Sequence, residues 1–197
     1  ACYVCWAFAR AYSPQVMKAY VSDLAKAMLL AAVYDREVNC RRAASAAFQE
    51  NVGRQGNENF NKGIEIITIA DYFSLGNRSS AYLNIGPSLA NIANWYLEPF
   101  VDHLISTKVS HWDKEIRILA SKGLASLVSY NSEFFINRLE KIIPMCCGNT
   151  LPCRHGSTAA CAEILHALAL EGVSLSTTMI DKIVNILYDF NRLRLYR

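Results

Sequence analysis

Six residues, Cys146, Cys147, Cys153, His155, Cys161 and His166, are of the types that bind zinc or carry nucleophilic chemistry. By count they suffice for a metal site. Structural zinc sites, however, deliver their cysteines as closely spaced pairs such as Cys-x-x-Cys, and no such pair is present here; Cys161 and His166 fall inside a helical apolar pattern. A cysteine or serine nucleophile needs a base and an orienting acid, and the chain has no Gly-x-Ser-x-Gly elbow or comparable local motif. The glycine-rich stretch Gly53 to Gly63, GRQGNENFNKG, lacks both the P-loop spacing and its Lys-Ser/Thr ending. The sequence therefore assigns no catalytic residue, no metal ligand and no cofactor-binding residue.

The chemistry that recurs is cationic. Arg41, Arg78, Arg117 and Arg154 each lead a small-residue, helix-forming segment, with steps of 37, 39 and 37 residues between them. Behind each arginine the same register returns: Ala44, Ala81, Ala120 and Ser157, then Phe48, Ile85, Leu124 and Cys161, then Val52, Leu89, Val128 and Leu165. Four-residue spacing puts each set on one helical face. A period of roughly 37–47 residues built from helix pairs is the signature of HEAT and armadillo solenoids, in which each pair buries its face against its neighbours. The fold class expected is all-α, a HEAT/armadillo-type α-solenoid of about four to five antiparallel helix pairs. In such arrays an Asp in the turn and an Arg six residues later tie neighbouring repeats, a spacing that Asp35 and Arg41 satisfy; Tyr72, His111 and Gly148 stand where the later units would need the Asp. The four arginines are thus read as structural donors rather than ligands.

Composition fits a packed chain. Hydrophobic residues at 52% against 19% charged exclude a disordered chain. The longest apolar run, Ala27 to Tyr34, is far short of the ~20 residues of a membrane span. A net charge of +3, dispersed along the chain, is too small for a nucleic-acid footprint. No nucleic acid and no membrane partner is implied. The tail from Arg192 to Arg197 is basic with aromatic interleaving, and reads as a solvated helix face. The seven cysteines, an odd number scattered through apolar helical patterns, suit a reducing cytosolic or nuclear compartment.

Taken in order, residues 1–12 read as the second helix of a pair. Repeats follow at about 13–53, 64–95, 96–131 and 132–171, with the first helix of a next repeat at 174–191. Both ends look cut from a longer array. Ser13-Pro14 opens a single helix to about Val33 with Val16, Tyr20, Leu24 and Met28 inward. Gly53 to Gly63 is expected to be the one long loop, Ile64 to Phe73 a short helix despite its β-branched residues, and Gly86-Pro87 a kink or split. Exposed second-helix positions Arg42, Gln49 and Arg54, with the turn residues Trp112 and Lys114, are the candidates for contact with a protein partner. An exposed Trp112 would be the foremost of them.

RRAASAAFQENVGRQG at 41–56, ADYF at 70–73, GNRS at 76–79, SHWD at 110–113, RHGS at 154–157, ACAE at 160–163 and LYR at 195–197 together resemble the middle of the tubulin-folding cofactor D family. The matches run in the family's order and cover nearly the whole chain. The resemblance implies a large HEAT-repeat scaffold, not itself an enzyme, that binds β-tubulin. It implies work with other tubulin-folding cofactors and an ARF-like small GTPase to assemble or dismantle the α/β-tubulin dimer, with activation of GTP hydrolysis by tubulin belonging to the complex. It also implies a cytoplasmic protein with microtubule or centrosome association. A general HEAT-repeat adaptor for transport or phosphatase assembly is the alternative from the same fold.

Overall fold

Of the run Ile64 to Phe73, where a strand could compete with a helix, residues 64–69 fold as helix, within α5, Gly63–Ile69, and residues 70–73 form the turn that follows. No strand occurs among the described residues, so the fold class is all-α, of the α-solenoid kind. The structure is a computed structural model describing residues 1–193, apart from the side chains of residues 187, 191 and 193; the last four residues of the basic tail lie outside the described residues. The chain divides into two compact units, residues 1–100 and 101–197.

The first unit opens with α1, Cys2–Ala11, α2, Pro14–Met17, α3, Val21–Tyr34, and α4, Val38–Asn59, ahead of α5. Helix α4 is its central element, packed against α1, α3 and α5. Phe48 in its middle is buried, edge-on to Phe60 with ring centroids 5.5 Å apart. After a short turn at Ser74–Gly76, α6, Arg78–Ser80, runs through a widened π-helical turn, Ala81–Ile85, into α7, Gly86–Ile92. The Gly86-Pro87 step therefore does not split the helix. The Gly86 N–H donates to Ala81 O, and the widened turn ends just before Pro87, which has no N–H to give. Tyr82 is buried and donates its hydroxyl to Tyr34 O at 2.6 Å, joining this segment to the end of α3.

Two expectations for this unit are corrected. Helix 13–33 is broken at Lys18–Tyr20, a turn in which the Tyr20 N–H donates to Met17 O at 2.8 Å and Tyr20 becomes the N-cap of α3. The break rephases the stripe, so Met17, Val21, Ala25 and Met28 are buried while Val16 and Tyr20 are exposed. Gly53 to Gly63 is not a loop: α4 continues through Gln55, breaks at Gly56 (φ 72°) and resumes to Asn59. Only glycine adopts that φ without strain. Helix persists there because its polar residues bond protein rather than water. Asn51, Gln55 and Asn59, one turn apart, donate to the carbonyls of Cys5, Ala9 and Pro14 at 3.1, 3.1 and 2.9 Å. These include carbonyls near the end of α1 that its own helix leaves unpaired.

Helix α8, Leu97–His103, ends in a second widened turn, Leu104–Lys108. The second unit then contains α9, Lys114–Leu127, α10, Ser132–Met145, α11, Leu151–Leu170, and α12, Thr177–Leu193. Asp113, Asn131 and Thr150 cap α9, α10 and α11 through bonds to Glu115 N, Phe134 N and Cys153 N. Helices α9 and α11 pack closely over Ile116, Ala120, Leu124, Ala160 and Ile164. Gly156 makes that approach possible: a Cβ there would lie 1.7 Å from Val109 O. Of the residues in the three recurring columns all are buried except Leu165, where Ile164 and Leu168 take the inward places.

Candidate partner-binding surfaces

The repeat arginines are built into turns. Arg41, 2% exposed, donates from Nη1 to Asp35 O at 3.1 Å and Arg36 O at 3.0 Å, from Nε to Leu75 O at 2.9 Å and from Nη2 to Gly76 O at 3.0 Å. One guanidinium thus joins the turn before its own helix to the turn before α6. Burial, then the charge of Arg78, lowers its pKa. Arg117 repeats the local half, its Nη1 donating to His111 O at 2.8 Å and Trp112 O at 2.9 Å, and Arg154 donates to Gly148 O at 3.0 Å. The acceptor is the main-chain carbonyl six residues back, which every residue type carries. Hence the turn needs no Asp, and Asp35 instead uses its carboxylate on Glu37 N at 2.8 Å. At Arg78 the pattern lapses, because the carbonyl six back, Tyr72 O, accepts from Arg42 Nε at 3.2 Å.

Of the sequence-derived contact candidates, Arg42 is half-buried, its guanidinium 4.9 Å from the centre of the Tyr72 ring. Gln49 and Arg54 are exposed on the outer face of α4, and Glu50 between them accepts from Arg54 at 2.9 Å and from Arg10 at 3.3 Å. Trp112 is 70% exposed, its ring stacked on His111 at 5.3 Å, and Lys114 is exposed beside it. Arg42 thus lies near the start of α4 with its side chain on the turn at Tyr72, Gln49 and Arg54 on the outer face of the same helix, and Trp112 and Lys114 in the second unit.

Two surfaces escaped the sequence reading. Tyr72 and Phe73 form an exposed aromatic pair, edge to face at 5.5 Å, with Phe73 82% exposed. The signal available was their position, five and six residues before a repeat arginine. On the first unit, Phe8, Tyr12, Val16, Tyr20 and Leu24 line an apolar groove of about 640 Å³ with Asp23 at its edge. That groove follows from the rephased stripe, which cannot be read from spacing alone.

The cysteine and histidine cluster does not converge. Cys146 and Cys161 are buried with sulfurs 3.7 Å apart, Cys153 Sγ faces Met145 O, and His166 is exposed. His155 Nδ1 accepts from Arg117 Nε at 3.2 Å, and burial followed by the charges of Arg117 and Lys114 lowers its pKa. Among the described residues no three His, Cys, Asp or Glu side chains gather where they would hold a metal ion. No helix among them is long and apolar enough to cross a membrane.

Residues 1–64 match the family model described as tubulin-specific chaperone D-like, ARM repeats. The chain is 38% identical over 169 residues to a tubulin-specific chaperone D of Dictyostelium discoideum, covering 85% of this chain and 11% of that protein. It is 28% identical over 136 residues to a tubulin-folding cofactor D of Schizosaccharomyces pombe, covering 68% of this chain and 12% of that protein. The chain therefore spans about a tenth of the length of the curated relatives it matches. No solved structure matches it significantly.

Proposed function

Since the chain belongs with the tubulin-specific chaperone D family, we propose that it is a partner-binding scaffold segment of a tubulin-folding cofactor, and that the partner it helps to hold is β-tubulin. The observation that carries this reading is the 38% identity to a protein named tubulin-specific chaperone D, extending through both compact units. The geometry is of the right kind. Helix pairs locked by buried arginines hold short turns and outer helix faces rigid, and a rigid surface engages a large partner with less ordering cost. Arg42, Gln49, Arg54, Trp112 and Lys114 are the proposed contacts. Gln49, Arg54, Trp112 and Lys114 are exposed and Arg42 is half-buried on α4, while the register residues other than Leu165 stay inside.

The reading places the chain in the cytoplasm, working beside other tubulin-folding cofactors and an ARF-like small GTPase in assembling and dismantling the α/β-tubulin dimer. Stimulation of GTP hydrolysis would arise only in that complex, with no chemistry contributed by this segment. Cross-linking mass spectrometry of the full-length protein with tubulin tests it. Links from Lys114, or from lysines introduced at positions 49 and 54, to β-tubulin are expected. Links confined to other regions of the protein would reduce this chain to a spacer.

A further inference from the structure

Cys146 and Cys161 bring two sulfurs into contact from neighbouring helices of the second unit. Cys146 ends α10 and Cys161 lies midway along α11; they are 1% and 6% exposed, with sulfurs 3.7 Å apart. Both are free thiols. We propose that they form a reversible thiol–disulfide pair, oxidised by a small peroxide to a covalent tie between α10 and α11 and reopened by exchange with a low-molecular-weight thiol. The inference holds whichever partner the scaffold binds.

Proximity alone would make the pair ordinary core packing. What lets it close is that Cys146 sits at a soft helix end. A disulfide holds its sulfurs at about 2.05 Å, so these two must approach by about 1.7 Å. Pro144 has no N–H to give Glu140 O, and beyond it Cys146 N, Cys147 N and Gly148 N donate to Ile143 O, Pro144 O and Met145 O at 3.1, 3.3 and 3.0 Å, each three residues back rather than four. The turn that follows is held by one arginine bond, Arg154 to Gly148 O, where Arg41 makes four bonds in its own place. Helix α11 is the fixed side, packed closely on α9. Cys161 also occupies the register place that Phe48, Ile85 and Leu124 take in the other segments, so a thiol stands where they present only carbon.

The two thiols are unequal. Cys146 S–H faces Ile142 O at 3.7 Å, which leaves its sulfur able to accept from Cys161 S–H. That bond outweighs burial and holds the Cys146 thiol below its ordinary range, while the same bond, with burial, pushes Cys161 up. Cys146 is therefore the attacking sulfur. When the 146–150 turn opens, its thiolate takes the terminal oxygen of the peroxide: the O–O bond breaks, the sulfur is oxidised to a sulfenic acid, and the reduced peroxide oxygen picks up the proton that Cys146 released. Cys161 then gives up its proton and attacks the sulfenic sulfur. The S–S bond forms, the S–O bond breaks, and hydroxide leaves with that proton as water. With hydrogen peroxide, two thiols and one peroxide become one disulfide and two waters. Cys147 and Cys153, both half-buried at the same turn, are the competing thiols.

The test is peptide mapping of the full-length protein after brief treatment with hydrogen peroxide, with free thiols alkylated, before and after dithiothreitol. Trypsin cuts after Lys141, Arg154 and Lys182, so a bond between peptides 142–154 and 155–182 must use Cys161, the sole cysteine of the second peptide. That link is expected in wild type, Cys147→Ser and Cys153→Ser, and is lost in Cys146→Ser and on reduction. In Cys161→Ser, Cys146 should stop at a sulfenic acid that dimedone traps. Hydrogen exchange of the amides in the 146–150 turn should slow several-fold in the linked form. The proposal is overturned if Cys146 and Cys161 stay reduced in wild type at a peroxide dose that oxidises Cys147 or Cys153. It is equally overturned if the link is lost in Cys147→Ser or Cys153→Ser and persists in Cys146→Ser, or if the linked form exchanges no more slowly. The wild-type map and exchange stand by themselves even where a serine variant fails to fold.

Discussion

Arg41→Ala should be among the most destabilising single changes in the first unit, although it removes no apolar side chain. The guanidinium serves four carbonyls, and only the bond to Leu75 O is fully buried. A hydrogen bond from a charged donor contributes about 1.5–3 kcal/mol, so the Leu75 bond counts fully; water replaces much of what is lost at Asp35 O, Arg36 O and Gly76 O, leaving about 1 kcal/mol each. The sum, about 4.5–6 kcal/mol, is offset by releasing the guanidinium from its costly burial, and the net expectation is about 3–4 kcal/mol. Arg154→Ala, which breaks a single part-buried carbonyl bond, should cost about 1 kcal/mol. Asp35→Asn keeps the acceptor carbonyl and a side-chain oxygen for Glu37 N, and should cost under about 0.5 kcal/mol. The assay is urea unfolding followed by far-UV circular dichroism and tryptophan fluorescence together, with changes read from the midpoint at constant slope. The carbonyl-clamp account is refuted if Arg41→Ala costs no more than Arg154→Ala. It is equally refuted if Asp35→Asn costs as much as Arg41→Ala, because the side-chain ion pair would then be what matters.

Phe48→Ala empties a buried site against Phe60 and should cost roughly 3–5 kcal/mol in the same urea assay; a loss below about 1 kcal/mol would mean that the register is misassigned. Gly156→Ala must push α11 away from Val109 O, and because the obstacle is backbone the cost should exceed the usual overpacking range of about 1–3 kcal/mol, seen as a lower Tm or failure to accumulate folded protein. His155 has a folded-state pKa below its unfolded value, so the unfolded chain binds the proton first as pH falls. The stability it contributes is present above the unfolded pKa of about 6.5 and declines as pH drops below it, so the urea midpoint should fall on acidification, less steeply in His155→Gln.

How much of this was legible in sequence depends on the kind of interaction. Burial recurs with the helical period, so one arginine could align Ala44, Ala81, Ala120 and Ser157, and all four are buried. Helix continuity is not encoded that way. Ser13 through Val33 reads as one amphipathic run because Val16, Tyr20, Leu24 and Met28 are four apart, and the rival stripe Met17, Val21, Ala25 and Met28 is equally periodic after Ser13-Pro14. Deciding between them requires knowing that the chain unwinds at Lys18–Tyr20, a tertiary outcome. The polar run after Gly53 failed for the opposite reason. Asparagine and glutamine ordinarily signal solvent and turns, yet Asn51, Gln55 and Asn59 lie one helical turn apart, a polar stripe that makes sense only once α1 and the start of α2 supply carbonyls for it.

The repeat arginines show how a motif can be read correctly as a set of structural donors while its acceptor is misplaced. A carboxylate six residues before an arginine invites an ion pair, and the loss of that carboxylate from the later units looks like decay. The bond is instead made to a carbonyl, so sequence is free to vary at the turn while the geometry is kept at Arg41, Arg117 and Arg154. That freedom has a functional consequence. A turn clamped by its backbone can carry Arg36, Phe73 or Trp112 next to it without altering the clamp, so the outward side chains can be set by a partner while the fold is held from within. Where the clamp lapses, at Arg78, Arg42 takes over Tyr72 O, and Phe73 beside it is 82% exposed.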